Sequence, residues 1–355
     1  MLFIEGSGIL LRKVLSKDDM NPHNCPVVLH DHLDGSRTLL PVLPRLYELS
    51  GKPLPFGPNV DVHEGFKKIF ADPQVNLVQK FFHTTGVMQT RKTLILAAEA
   101  YVIGRARQGF KYCEATIAPQ YHTADGLSVP DVIDALIDGI IKGEKQYPEI
   151  EVNLIPSVGR EVSPEEAVRL VNMFSVCRMD FCPGIGLVCV EPGNPPEKHI
   201  QMFKQAKKLG FKTTCHAGEW VSESPDFKKD LPQILKNIRT AVLELESDRI
   251  GHAMGLAYDP ELTDIVAKRK VGIEGCPGSN LTSGLVESVG QLGIRELLQC
   301  GILYSLNPDD DLFMPDLIEV MRMCNDFYCF SETERKLLTH NAWISRFGNR
   351  KEHSF

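Results

Sequence analysis

What constrains this chain most is a rhythm. Short apolar, β-rich runs alternate with amphipathic helical stretches, and several runs end on groups able to grip a metal or move a proton. The candidate strands are residues 26–29, 109–117, 152–156, 184–188, 212–215, 249–251, 271–274 and 302–306. Strands alternating with helices argue for a parallel sheet. Eight of them is the number that closes an α/β (β/α)8 TIM barrel, whose functional groups collect at the carboxyl ends of the strands. Helix signals fall between the runs. Residues 90–107 carry Leu94, Ala97, Ala98 and Tyr101 at helical spacing. Ser163-Pro164-Glu165-Glu166 and Ser331-Glu332-Thr333-Glu334 read as capping boxes, and 199–209 as a helix that stops at Gly210. The expectation is one domain over residues 1–355, with a helical insertion over about 39–82 after the first strand and extra C-terminal helices.

At 355 residues such a barrel is a normal single unit. A net charge of −7 without a basic stripe argues against nucleic acid as a partner. The 10 cysteines form no CxxC pair, and Cys113, Cys182, Cys189 and Cys215 lie in apolar runs, which favours a reducing compartment. The apolar start Met1-Leu2-Phe3-Ile4 is brief and no run reaches membrane length, so the sequence predicts a soluble, cytoplasmic protein with no membrane partner. It does not set the oligomeric state.

The chemistry-bearing fragments are His30-Asp31-His32, His216-Ala217-Gly218-Glu219, Arg249-Ile250-Gly251-His252, Glu274-Gly275-Cys276-Pro277-Gly278-Ser279-Asn280 and Asn307-Pro308-Asp309-Asp310. Residues two apart in a strand face one side, so His30 and His32 project together. His216 ends another apolar run and offers a third imidazole, and Asp309 offers a carboxylate. Three imidazoles and a carboxylate with an open position suit one Zn2+ per chain; iron or another first-row divalent ion would accept the same set.

Leu29-His30-Asp31-His32-Leu33-Asp34-Gly35-Ser36 resembles the opening motif of the adenosine deaminase family, and the later fragments continue the resemblance in the family's order, from Pro26 to Asn341. The block Tyr112-Cys113-Glu114 with Pro119 is similar to the family's second-strand region. The resemblance implies a zinc held by His30, His32, His216 and Asp309. It implies Glu219 as the proton shuttle to the purine and His252 as the group that orients or deprotonates the attacking water. Asp310 would contact the imidazole side of the ring, Asp34 the ribose 5′ hydroxyl, and the backbone amide of Cys189 purine N3. The implied reaction is hydrolytic deamination of adenosine, or a closely related 6-aminopurine nucleoside, to the 6-oxo product and ammonia. The chemistry of each step fits. Metal binding lowers the pKa of water from about 15.7 to about 7, attack at C6 needs an acid at N1, and N7 accepts only, so Asp310 must carry a proton to donate there.

Several positions depart from the family's pattern. Cys189 stands where a glycine is usual, and the segment 186–196 looks somewhat like adenine deaminases. That keeps open a free-base adenine deaminase, or a deaminase of a 5′-modified nucleoside, although Asp34 is the nucleoside-type choice. Asp311 replaces a Pro and reads as solvated or as a bias toward a positively charged substituent; Gly278 replaces a Thr; Asp31 has no assigned role beyond a contact behind the ligands. Residues 220–231 form a longer segment than usual and read as a lid, an altered rim or an exposed insert. An amidohydrolase with a bridging carboxylated Lys is disfavoured, since 184–188 contain no Lys. A purine-binding protein without catalysis is the non-enzyme alternative.

Overall fold

Chain order becomes spatial order. In the computed structural model, which describes residues 27–72 and 74–351, one sheet runs from β1 to β8 with neighbours in sequence as neighbours in space. The strands are β1 (Val27–His32), β2 (Tyr112–Ile117), β3 (Glu151–Gly159), β4 (Gly184–Val188), β5 (Lys212–Ala217), β6 (Arg249–His252), β7 (Gly272–Gly275) and β8 (Leu303–Leu306). All adjacent pairs are parallel, and the sheet curls until β8 meets β1 through the bridge Asp31↔Asp309. This is a (β/α)8 barrel. Every residue of β2, β3 and β4 is buried, as a parallel sheet filled inside and covered outside requires.

Eight expected strands match the eight observed, with shifted ends. The second begins at Tyr112 rather than 109 because the Gly109 and Phe110 amides bond back to Ala106 and Arg105 and close the preceding helix. The third runs on to Gly159, and the fifth to Ala217, so His216 lies inside its strand. Pro26, expected to open the first strand, and the apolar start Met1–Ile4 lie outside the described residues.

The insertion after β1 is helical, as expected: α1 (Leu43–Ser50), α2 (Val62–Ala71) and α3 (Leu77–Thr85) precede the barrel helix α4 (Arg91–Arg107). The outer ring continues with α5 (Val129–Gln146), α6 (Pro164–Phe174), α7 (Ile200–Lys208), α8 (Phe227–Leu243), α9 (Pro260–Arg269), α10 (Pro277–Thr282) and α11 (Ile294–Gln299). After β8 come α12 (Leu317–Tyr328) and α13 (Glu332–Ser345). Val132, Leu136 and Ile140 recur every fourth residue on α5 and are fully buried. Each such side chain stabilises the fold by about 1.5–3 kcal/mol. Ser331 and Glu334 form the expected reciprocal cap. At Ser163 only half of it forms: Ser163 accepts the Glu166 amide, while the Glu166 carboxylate turns to Arg169, 2.6 Å away. Among the described residues no helix is long and apolar enough to cross a membrane.

Candidate active site

Strand alternation and register bring distant histidines together. His30 and His32 leave β1 on the barrel side, and the β5–β6 ladder sets His216 beside Gly251 and Ala217 beside His252. The His30 and His216 ring centroids lie 4.4 Å apart, and His32 and His216 5.4 Å. That approach needs Gly251: a Cβ there would stand 2.7 Å from His30 Cε1. Asp309 follows β8, with Oδ1 at 3.5 Å from His30 Nε2 and 3.4 Å from His32 Nε2. Asp309 (φ 63°), His252 (φ 64°) and Ala253 (φ 47°) hold left-handed backbone conformations without being glycine. Such residues persist where surroundings over-determine them, and they cluster at functional sites.

Partners fix the ring orientations. His30 Nδ1 donates to Glu274 Oε2 at 2.9 Å. Burial alone would raise the Glu274 carboxyl, but Arg249 and His30 outweigh it and hold the group down at about 2, so it accepts as a carboxylate. His252 Nδ1 lies 2.9 Å from Asn280 Oδ1, which accepts its proton. Both imidazoles thus turn Nε2 inward, and both Nε2 atoms are buried with no hydrogen-bond partner. Burial, then the neighbouring His30, His252 and His32, pushes His216 well below the usual histidine range. Buried polar atoms without partners are rare in folded proteins.

The donor set fits a metal. Donor atoms of His30, His32 and His216 lie within 4.8 Å of one another, as do those of His32, Asp309 and Asp310. Cys276 joins His30, His252 and Asp309 within the same limit, but burial pushes its thiol up to about 12, so it stays a neutral small side chain. Glu219 sits on the turn after β5, where Gly218 takes φ 69°. Its Oε2 is 3.3 Å from His252 Nε2 and 3.5 Å from His216 Nδ1. Burial raises the Glu219 carboxyl against the opposing pull of His252. Burial, then Asp309 and Asp34, pushes Asp310 well above the usual carboxylate range, and its Oδ1 has no partner. Asp34 is buried with Oδ2 at 3.3 Å from His122 Nε2. Cys189 follows β4 at φ 75°, exposed, with Sγ 3.7 Å from Tyr121 Oη.

All nine candidate residues thus lie at the carboxyl-terminal ends of the strands. Some supporting residues were not expected. Glu191 accepts the Gly218 and Glu219 amides, each at 3.1 Å, and Asn237 Nδ2 at 2.7 Å, and so shapes the turn that carries Glu219. Arg160, fully buried, donates to the His216 carbonyl. His122 behind Asp34 carried no motif. One expectation needs correction. Asp311 is neither solvated nor aimed at a substituent: it is fully buried against Arg105 Nη1 at 2.8 Å. Residues 220–231 keep Glu223, Ser224, Pro225, Lys228 and Lys229 exposed, as an exposed insert would, and are anchored where Phe227 packs on Tyr258 and Asp230 Oδ2 ties Ser222 and Asp226 together. Gly278 has a packing reason, because a Cβ there would lie 2.7 Å from Val320 Cγ2.

Residues 26–354 match the sequence pattern of the family described as adenosine deaminase. The chain belongs to the adenosine deaminase family. Among curated relatives, the adenosine deaminase of Clostridium botulinum (strain Kyoto / Type A2) is 28% identical over 340 residues, covering 93% of this chain and 95% of that protein. The crystal structure of adenine deaminase from Arthrobacter aurescens superposes with a TM-score of 0.77 at 24% identity, over 92% of this chain and 95% of that one. A zinc-bound amidohydrolase from Burkholderia ambifaria gives 0.79 at 24%, over 95% and 90%. Membership in the adenosine deaminase family makes this chain a metal-dependent hydrolase of the adenosine deaminase type.

Proposed function

We propose that this enzyme deaminates adenosine, or a closely related 6-aminopurine nucleoside, by zinc-dependent hydrolysis, within one domain over residues 1–355. His30, His32, His216 and Asp309 would hold the ion, which when bound supplies the Lewis acidity that makes hydroxide available near neutral pH. The observation that carries this reading is the pair of buried, partnerless Nε2 atoms of His30 and His252 beside the Asp309 carboxylate.

The chain's own groups divide the remaining work. Glu219, whose carboxyl burial raises, would give a proton to purine N1 and make C6 electrophilic. His252, pinned through Nδ1 by Asn280, presents Nε2 to the attacking water and takes its proton. A C–O bond forms at C6, the C–N bond breaks, and the amine leaves as ammonia after protons return through the His252–Glu219 pair. Asp310, neutral, donates to N7; Cys189 offers its backbone amide to N3; Asp34 takes the 5′ hydroxyl of the ribose. Asp34, buried and set by His122, favours a nucleoside over the free base. The decisive assay is ammonia release from adenosine against adenine. Glu219→Gln is expected to keep its metal and lose roughly 10²–10⁴-fold in kcat; unchanged kcat would remove Glu219 from the mechanism.

A further inference from the structure

The seam where β8 meets β1 brings together the segments bearing His30, His32 and Asp309, yet its backbone pairing is the thinnest in the barrel. It has one isolated bridge, Asp31↔Asp309, whereas every other neighbouring pair has at least three paired residues, those of β1 and β2 split by a register shift. Side chains fill the gap. Asn307 Oδ1 accepts the Leu29 amide at 2.9 Å and the His30 amide at 3.1 Å. Behind the seam stands Arg105, in the last turn of α4 and 1% exposed.

The guanidinium of Arg105 has an acceptor for every N–H. Nε and Nη2 grip the two oxygens of Asp31, each at 2.8 Å, and Nη2 also reaches Ser36 Oγ at 3.0 Å. Nη1 reaches Asp311 Oδ2 at 2.8 Å and Gln108 Oε1 at 2.9 Å. Tyr101, one turn earlier on α4, donates its hydroxyl to Asp31 as well. Asp311 Oδ1 takes the Arg37 amide at 2.6 Å. Asp31 lies between His30 and His32 with its side chain on the other face of β1, and Asp311 lies two residues past Asp309. One planar fork therefore holds both segments from outside the barrel.

We propose that Arg105, acting through Asp31 and Asp311, is a positioning residue that sets the spacing of His30 and His32 against Asp309, so that the ligand cage is preformed. This rests on the metal reading above. It accounts for both unassigned acidic departures, Asp31 and Asp311, with one partner. Stability alone is a weak reason for such a cluster, since buried ionic triads are often replaceable by apolar side chains without loss. Geometry is the stronger reason: ligand distances tolerate only about 0.2 Å, and a bidentate fork fixes orientation where an ammonium acts as a point charge.

Zinc affinity, measured by competition with a chromophoric chelator, tests this in wild type, Arg105→Lys, Asp311→Asn and Arg350→Met, alongside melting temperature. Arg350 pairs with Glu144 and lies apart from the cage, so it reports stability alone. Arg105→Lys and Asp311→Asn are expected to weaken zinc binding by roughly 10–100-fold, the usual effect of losing a ligand's supporting partner. Arg350→Met should lower the melting temperature with zinc affinity unchanged. Affinity within twofold of wild type in Arg105→Lys overturns the proposal, whatever its melting temperature. Should that variant not fold, Asp311→Asn, which keeps the side-chain shape, decides by the same criterion. Wild type that binds no zinc, or whose zinc survives His216→Ala, overturns the metal reading itself; wild type that binds with both seam variants indifferent overturns only the clamp.

Discussion

The two ends of the barrel both bury charge, and they treat it in opposite ways. At the amino-terminal end Glu151 accepts Asn153 Nδ2 at 2.8 Å and the amides of Arg350 and Lys351 at 2.9 and 2.8 Å. Glu144 takes Arg350 at 2.7 Å and Lys351 at 3.1 Å. Each carboxylate there has protein partners. At the mouth, His30 Nε2, His252 Nε2 and Asp310 Oδ1 are buried without any. Left-handed residues at the mouth, such as Asp309 and His252, lie at strand ends, whereas Lys270 and Cys329 take the same conformation as ordinary helix C-caps. Carboxylates at one end are satisfied by the protein itself, whereas the mouth combines partnerless buried groups with strained backbone.

Substitutions at the two ends should therefore separate activity from stability. The largest effect is expected from His216→Ala, or from stripping the metal with a chelator. Losing several kcal/mol of electrostatic help lowers kcat/KM by on the order of 10³-fold or more, with the fold intact by circular dichroism. Re-added zinc should restore the stripped wild type and not the variant. Arg350→Met should do the reverse. It strands Glu144 with one partner fewer, costs about 1–3 kcal/mol in a denaturant titration, and leaves kcat/KM within twofold.

The smallest effect concerns acid. Burial would raise the Glu151 carboxyl, but its three hydrogen bonds outweigh it and hold the group below the usual glutamate range. A depressed carboxyl stabilises the fold at pH above its unfolded value, and that contribution fades as pH falls through the folded value. Glu151→Gln should therefore make the acid limb of the stability curve shallower below the ordinary glutamate range, measured by denaturant titration across pH. An unchanged limb would show that this network does not set acid sensitivity.

The same division explains what could be read in advance. Alternation and helical spacing revealed eight strands, the insertion and the metal-type donors, because those signals are periodic or sit at strand ends. Glu191 escaped notice because its role depends on where the β4 loop lands against the β5 turn, a contact between segments 27 residues apart. Arg105 left a trace: a cation four residues after Tyr101, on the buried face of α4. Its partners Asp31 and Asp311 were visible as oddities, but which charge answered which depended on the closure of the barrel. His122 gave no signal at all, since a single histidine after a strand is commonplace.

The most direct test of the central claim is anomalous diffraction at the zinc edge from crystals of the zinc-loaded protein. A single peak within bonding distance of His30 Nε2, His32, His216 and Asp309 is the predicted result. A peak elsewhere, or none with those four side chains turned away from one another, would contradict it.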